Sequence, residues 1–237
     1  MTPSEFWPAL YALLDKYDLL KHPFYQAWRQ GVLRLEDLRE YAIQYYHHVA
    51  LFPAYLREFA TSLSDGELKE SVLRNLDEEM GMNREGERAH NLLWLDFAVG
   101  TGAQPADLFG RKPIPEVKAL TDLFLRLALS GDPAEVLAAF FVYESQVPRI
   151  AREKASVLRS RYGLSEAACR YFTLHSTADV AHAMVWREQL QKQLSTNPGV
   201  IDLSISAAER TAKALWLALD AINDKRMLPS RNRPHTN

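Results

Sequence analysis

The spacing of apolar residues constrains this chain most, because it follows the period of an α-helix. Near the N-terminus, Leu10, Leu13, Leu14 and Tyr17 recur at intervals of three and four, which places them on one face of a helix. No stretch shows the alternation of β-branched and polar residues that is typical of strands. Only 10 Gly and 12 Pro interrupt the 237 residues. The sequence therefore predicts an all-α fold with long helices.

Turn signals divide the chain into about eight to ten helices, joined by the short connections of a helix bundle. One long helix is predicted from Leu35, with a kink or restart at Pro53, since proline removes a helical hydrogen bond. Ser165 is predicted to begin another helix that continues to Leu194. No linker or internal repeat stands out. We therefore expect one domain over residues 1–224, followed by a flexible basic tail over residues 225–237.

Composition argues against several classes of function. The 28 Lys+Arg against 30 Asp+Glu give a net charge of −2, which offers no reason to expect nucleic acid or an anionic membrane as partner. The N-terminal segment has no pattern of a secretory signal, and the apolar run Leu137 to Tyr143 is far shorter than the roughly 20 residues of a spanning helix. The single cysteine, Cys169, excludes an internal disulfide and a cysteine-built zinc site. We therefore expect a cytoplasmic protein that binds neither nucleic acid nor membrane.

The segment from His175 to His182 contains the strongest candidate for a metal site. His175, Asp179 and His182 are separated by four and three residues, so they share one face if the helix is continuous. Two imidazoles and a carboxylate provide the nitrogen and oxygen ligands that iron or manganese binds. The alternative is a polar helix face, or core histidines that are satisfied by hydrogen bonds.

Glu144 is a second candidate ligand, on a different predicted helix. It follows the apolar run Ala138 to Tyr143, where a carboxylate is costly unless it binds a metal or is paired. The alternative is an ion pair with Arg149 or Arg152.

Glu79 and His90 form a third candidate pair. They are eleven residues apart, which on one straight helix would separate them by roughly 16 Å, too far for one metal cluster. Gly81 and Gly86 interrupt the helical pattern, so a helix–loop–helix can bring the two side chains together. Three helices would then supply three histidines and three carboxylates: Glu79, His90, Glu144, His175, Asp179 and His182, with Glu78 or Glu87 as alternates for the first carboxylate.

Tyrosine is unusually frequent for a helical chain. Most of these residues are expected in the core with a hydrogen-bonded hydroxyl. Tyr143 directly precedes Glu144, and Tyr171 lies one turn before His175, so these two are expected near the metals. Lys154 has no comparable neighbour, and from the residues alone it is expected to be a solvated surface charge.

Several short motifs recur along the chain with aromatic, histidine and acidic residues. They are His22-Pro-Phe-Tyr25, Leu38-x-x-Tyr41-Ala-x-Gln44-Tyr-Tyr46-His-His48, Phe52-Pro53, Asn75-Leu-Asp-Glu-Glu79 and Leu93-Trp94. Together they resemble the TenA/PqqC-like, haem-oxygenase-like helical superfamily. Within it, the six candidate ligands resemble those of the haem-oxygenase-like dimetal oxidases, and best those of the CADD-like group, named for a chlamydial protein associating with death domains. The resemblance covers the chain to about Leu219.

This resemblance implies a haem-oxygenase-like bundle and an oxygenase that makes p-aminobenzoate for folate synthesis. It implies that a tyrosine of the protein itself is cleaved to give the aromatic ring, and that a lysine gives the amino nitrogen. By position, these residues are Tyr25 and Lys154, with Tyr143 and Tyr171 as further tyrosines near the site. The implied cofactors are two Fe ions, or one Fe and one Mn, with O2 and an external reductant. Relatives with this fold are often homodimers.

Two other functions are compatible with the sequence. A dimetal or PqqC-like oxidase would act on an external small molecule, whereas a non-enzymatic interaction protein would use its helical surface to bind a partner such as a death domain. The thiaminase-like TenA branch uses a cysteine nucleophile, but Cys169 is expected here as a small buried apolar residue. Metal content separates the enzyme from the interaction protein.

Overall fold

The fold is all-α, as the sequence predicts. The computed structural model describes residues 1–83 and 87–227, which form α-helices and two short 3-10 turns but no strand. The 3-10 turns are Leu19–Lys21 and Pro198–Val200. The helices are α1 (Pro3–Lys16), α2 (Pro23–Arg29), α3 (Leu35–Ser62), α4 (Glu67–Glu79), α5 (His90–Gly100), α6 (Pro105–Gly110), α7 (Pro115–Ser130), α8 (Pro133–Glu144), α9 (Val147–Ser160), α10 (Glu166–His175), α11 (Ala178–Thr196) and α12 (Ile201–Met227).

The most apolar helix, α8, forms the centre of the bundle. All of its residues except Pro133 and Glu135 are buried, and it packs against α11 and α12. Asp132 starts the helix, because its side chain accepts the Ala134 N–H at 2.8 Å. Around this centre, α3 packs against α4, α5 and α7, and α10 packs against α5 and α9. The buried apolar side chains form one cluster, so the chain folds as a single domain.

Helix α3 continues through Pro53, so the predicted restart does not occur. Phe52, Tyr55 and Leu56 beside the proline are all buried in the core. The packing of this segment therefore outweighs the one backbone hydrogen bond that proline removes.

The helix predicted from Ser165 to Leu194 is divided into α10 and α11, which corrects the prediction. The hydroxyls of Ser176 and Thr177 donate to the carbonyls of Thr173 and Leu174, at 2.7 and 3.0 Å. Hydroxyls that bond back to the helix in this way compete with the backbone ladder. The described residues therefore contain twelve α-helices, above the predicted eight to ten. The additional helices come from this division and from the short helix α6, which the sequence did not indicate.

The last helix, α12, extends to Met227, so the first three residues of the predicted tail are helical. The rest of that tail, residues 228–237, lies outside the described residues. Among the described helices, none combines the length and apolarity that crossing a membrane requires. Cys169 is fully buried, as predicted.

His22 joins α2 to α12 from a fully buried position. Its Nδ1 accepts the Phe24 N–H at 3.1 Å, which caps α2, so the opposite nitrogen Nε2 carries the proton and donates to Asp220 at 3.0 Å. We expect His22→Ala to lower the free energy of unfolding by about 1–3 kcal/mol, because the cap and the buried packing are lost. His22→Asn keeps an acceptor for the cap and should recover about 1 kcal/mol of this loss. Urea denaturation checks both values, and equal stability of the two variants would argue against the cap.

Candidate metal centre

Helices α4, α5 and α10 bring Glu79, His90 and His175 together. Each residue offers a ligand atom within 4.8 Å of those of the other two. Glu79 Oε1 lies 2.9 Å from His90 Nδ1 and 4.0 Å from His175 Nε2, and all three side chains are buried. We call this set the Glu79 group.

The turn after α4 makes this approach possible. Gly81 has φ +68°, a left-handed conformation, and an added Cβ would lie 2.7 Å from the backbone of Arg88 and Ala89. The chain therefore reverses tightly at this glycine and begins α5 beside the end of α4. The helix–loop–helix that the sequence suggested is present, although Gly86 lies outside the described residues.

A second set lies at the meeting of α8 and α11. Its members are Glu144, the last residue of α8, with Asp179 and His182 in the first turns of α11, and all three are buried. His182 Nδ1 lies 3.6 Å from Asp179 Oδ1 and 3.7 Å from Glu144 Oε2. We call this set the His182 group.

The predicted stripe of His175, Asp179 and His182 is thus divided by the helix break. His175 ends α10 and belongs to the Glu79 group, whereas the other two residues begin α11 and face Glu144. The two groups are nevertheless adjacent, because one small cavity of about 10 Å³ is lined by Glu79, Glu144, His175 and Asp179. The structure therefore brings all six predicted residues to one place.

The alternates for the first carboxylate lie outside these groups. Glu78 faces the other side of His182, with its Oε2 2.8 Å from His182 Nε2. Glu87 is half-buried in the segment before α5 and is not a member of the Glu79 group. Glu144 does not pair with Arg149, which binds Asp18; it accepts the Trp186 indole N–H at 2.6 Å instead.

The electrostatics of the two groups are those of crowded, buried acids and bases. Burial opposes the charge on Glu79, yet neighbouring His90 lowers the pKa of this carboxyl and Glu79 in turn raises the pKa of His90. Burial raises the pKa of Glu144 well above its ordinary value. Burial also opposes a charge on His182, but Asp179, Glu78 and Glu144 together raise its pKa to about 11. The raised pKa values mean that bound protons balance the negative charge of the carboxylates. A bound cation would replace these protons.

The donor atoms of the Glu79 group lie close enough together to bind a metal ion. Each group offers imidazole nitrogen and carboxylate oxygen, the combination that suits iron and manganese. His182 Nδ1 is buried between two carboxylates and has no hydrogen-bond partner among the described residues. Such an orphaned nitrogen is costly in a protein interior unless it binds something.

A second pocket surrounds Lys154, which is 5% exposed and not at the surface as its sequence context suggested. Its Nζ lies 3.9 Å from the centre of the Tyr25 ring and 4.5 Å from that of Tyr41. Lys154 donates to the Tyr41 hydroxyl at 2.7 Å, and the Tyr25 and Tyr41 hydroxyls are 3.0 Å apart. Burial lowers the pKa of Lys154 well below its ordinary value and raises that of Tyr25.

Tyrosines connect this pocket to the metal centre. Tyr171 stacks on His175 with ring centres 3.9 Å apart, and it lines one cavity together with Tyr143, Tyr45 and Tyr41. Tyr45 in turn stacks on Tyr41 at 5.3 Å. Tyr143 and Tyr171 also line the cavity between the candidate ligands, so both lie beside these side chains.

Sequence reasoning missed the position of three residues at this site. Tyr41 and Tyr45 were recognised only as part of a family motif and were not assigned to the site. Their spacing of four residues already places them on one face of α3. Trp186 lies four residues after His182, and the same rule would have placed it beside Glu144. None of these spacings indicates a hydrogen bond until the packing of the helices is known.

The comparison with known proteins agrees with this fold and site. Residues 39–216 match the family described as iron-containing redox enzymes with a haem-oxygenase-like fold. The chain therefore belongs to the haem-oxygenase-like family of iron-containing redox enzymes.

Within this family, the chain is similar to 4-aminobenzoate synthases. It is 32% identical to the 4-aminobenzoate synthase of Nitrosomonas europaea, over 94% of this chain and 93% of that one. It is 34% identical to that of Chlamydia trachomatis, over 92% of both chains. A CADD-like protein from Nostoc punctiforme has the same fold, with a TM-score of 0.68 at 14% identity, covering 95% of this chain and 96% of that chain.

Proposed function

We propose that this protein is an oxygenase that makes p-aminobenzoate by oxidative cleavage of its own Tyr25, with transfer of the amino nitrogen of its own Lys154. O2 is the oxidant, and an external reductant supplies electrons. The observation that carries this proposal is the position of Lys154 Nζ, which lies 3.9 Å from the centre of the Tyr25 ring. The names and similarity of the 4-aminobenzoate synthases support the product.

The protonation state of Lys154 suits a nitrogen donor. A nucleophilic amine must be neutral, and burial lowers the pKa of Lys154 towards that form. Lys154 forms no ion pair with a carboxylate of the described residues, and its hydrogen bond goes to the Tyr41 hydroxyl. The amine is held beside the ring by side chains that pack around it, so the two groups have a very high effective concentration.

The space beside Lys154 argues against an external aromatic substrate. The cavity lined by Tyr25, Tyr41, Tyr143, Lys154 and Tyr171 has a volume of about 30 Å³. A water molecule needs about 10–15 Å³ of such space, so the cavity holds roughly two waters. An aromatic ring that reacts with Lys154 is therefore best supplied by the chain itself.

The Glu79 and His182 groups would each hold one metal ion, as Fe/Fe or Fe/Mn. Bound there, the metals would supply the activation of O2. Tyr143 and Tyr171 lie between the metal groups and the Tyr25 pocket, and their hydroxyls can hold or pass a proton. Trp94 and Phe172 pack edge-on against the Tyr171 ring and hold it in this position.

Mass spectrometry of isotopically labelled protein tests this proposal. Protein made with 15N-lysine and 13C-tyrosine is incubated with Fe(II), Mn(II), a reductant and O2. We expect p-aminobenzoate that contains both labels, together with a loss of mass in the peptides that contain Tyr25 and Lys154. Product formed while both residues stay intact would overturn the proposal.

Tyr41 provides the control for the choice of ring, because it also lies beside Lys154. Tyr25→Phe should abolish the product, whereas Tyr41→Phe should reduce it and leave the mass loss at Tyr25. The opposite pattern would identify Tyr41 as the source of the ring.

A further inference from the structure

Half-buried Glu78 makes a contact with His182 that the candidate ligand set does not use. Its Oε2 lies 2.8 Å from His182 Nε2, on the side of the imidazole away from the other acids. The other nitrogen, Nδ1, faces Asp179 and Glu144 at 3.6 and 3.7 Å. The imidazole is thus held between one carboxylate outside the His182 group and two inside it.

We infer that Glu78 is a positioning residue, which fixes the His182 ring so that Nδ1 is the metal-binding nitrogen. This inference rests on the proposed function, since it requires a metal ion in the His182 group. A carboxylate that accepts the proton of the far nitrogen defines both the tautomer and the orientation of a ligating histidine. Glu78 then has a role distinct from that of Glu79, its neighbour in the chain.

The surroundings of the ring explain why such a partner is needed. A cavity of about 110 Å³ lies on the Glu78 side of His182, and it is lined by Asn75 and Trp186 as well. Exposed residues Arg74 and Ala181 also line it, so it reaches the surface. With this space beside it, the ring has room to turn unless Glu78 holds its Nε2.

The competing role for Glu78 is direct metal ligation. The variant Glu78→Gln distinguishes this role from the positioning of His182. In Glu78→Gln the amide oxygen still accepts the Nε2 proton, so a positioning role is largely kept. A neutral amide is a poor ligand compared with a carboxylate, so a ligand role is lost. Glu78→Ala removes both roles.

Anaerobic titration with Fe(II), and separately with Mn(II), measures the binding of each ion by calorimetry. We expect Glu78→Ala to weaken the binding of the ion in the His182 group about 10–100-fold. Glu78→Gln should stay within about threefold of the unchanged protein, since it keeps the hydrogen bond. The matched control is Asp77→Asn, which removes one charge from the exposed neighbouring position and should change neither affinity.

A second measurement reports the contact between Glu78 and the His182 ring without any metal. Nitrogen-15 NMR of the histidine side chains, assigned with His182→Ala, should show the His182 signals shift in Glu78→Ala and persist in Glu78→Gln and Asp77→Asn. Equal loss of affinity in the Gln and Ala variants would show that Glu78 is a ligand. Unchanged affinity and spectra in Glu78→Ala would also overturn the inference. If the unchanged protein binds fewer than two ions, the dimetal part of the proposed function fails instead.

Discussion

Replacing Lys154 by methionine should abolish p-aminobenzoate formation and make the folded protein more stable. The variant has no nitrogen to donate, while methionine fills a similar space without an amine to desolvate. Because burial lowers the pKa of Lys154, the folded state opposes the charge that the unfolded state accepts at neutral pH. Removing the amine removes this cost, so we expect Lys154→Met to have a higher free energy of unfolding than the unchanged protein at pH 7.

The sign of the pH dependence gives a further check. Between the lowered pKa and the ordinary value of 10.5, the unfolded chain binds more protons than the folded one, so wild-type stability rises with pH. The advantage of Lys154→Met should therefore shrink as the pH approaches 10.5. Urea denaturation at several pH values measures this difference in stability between the variant and the unchanged protein.

The control is Lys118→Met, at an exposed lysine. It should keep the product and change stability by no more than about 0.5 kcal/mol. Product from Lys154→Met, or a less stable variant, would contradict this account.

Replacing Glu79 by glutamine should remove one of the two bound metal ions and the product with it. Glu79 is the only carboxylate of its group, so the change leaves two imidazoles and a neutral amide for the ion. We expect elemental analysis to show about half the metal of the unchanged protein, and the increase in Tm on adding Fe(II) to become smaller.

The matched control for this variant is Glu70→Gln, at an exposed position of the same helix. It should keep both ions, the product and the full increase in Tm. Full metal content in Glu79→Gln would show that the Glu79 group is not a metal site, whatever the fate of the product.

Much of the fold could be predicted from sequence because helical period and turn residues are local signals. The approach of Glu79 to His90 could also be anticipated, since the glycines between them rule out one straight helix. The break at Ser176 and Thr177 could not, because it arises when their hydroxyls bond to the preceding carbonyls, and the same residues are tolerated inside helices. As a result, the members of the predicted stripe lie close together but not on one face of a single helix.

The location of Lys154 is where the structure of the site differs most from the expectation based on sequence. A lysine is usually solvated, but Ile150, Ala151 and Leu158 lie three or four residues away and place Lys154 on the buried face of α9. The aromatic rings that surround its amine come from other helices, and they include Tyr25, Trp28 and Tyr41. Family resemblance pointed to this residue, whereas its residue type did not. The six metal ligands stay a prediction that the grouping of their side chains supports.

The small volume beside Lys154 has a kinetic consequence for the proposed reaction. A protein whose aromatic substrate is part of its own chain has no Michaelis constant for that substrate. At fixed and excess O2 and reductant, product formation should therefore follow a single exponential whose rate is independent of protein concentration. Each chain also acts once, so the yield is limited to one product molecule per chain. The supply of product then depends on how fast new chains are synthesised, and the protein behaves as a stoichiometric reagent.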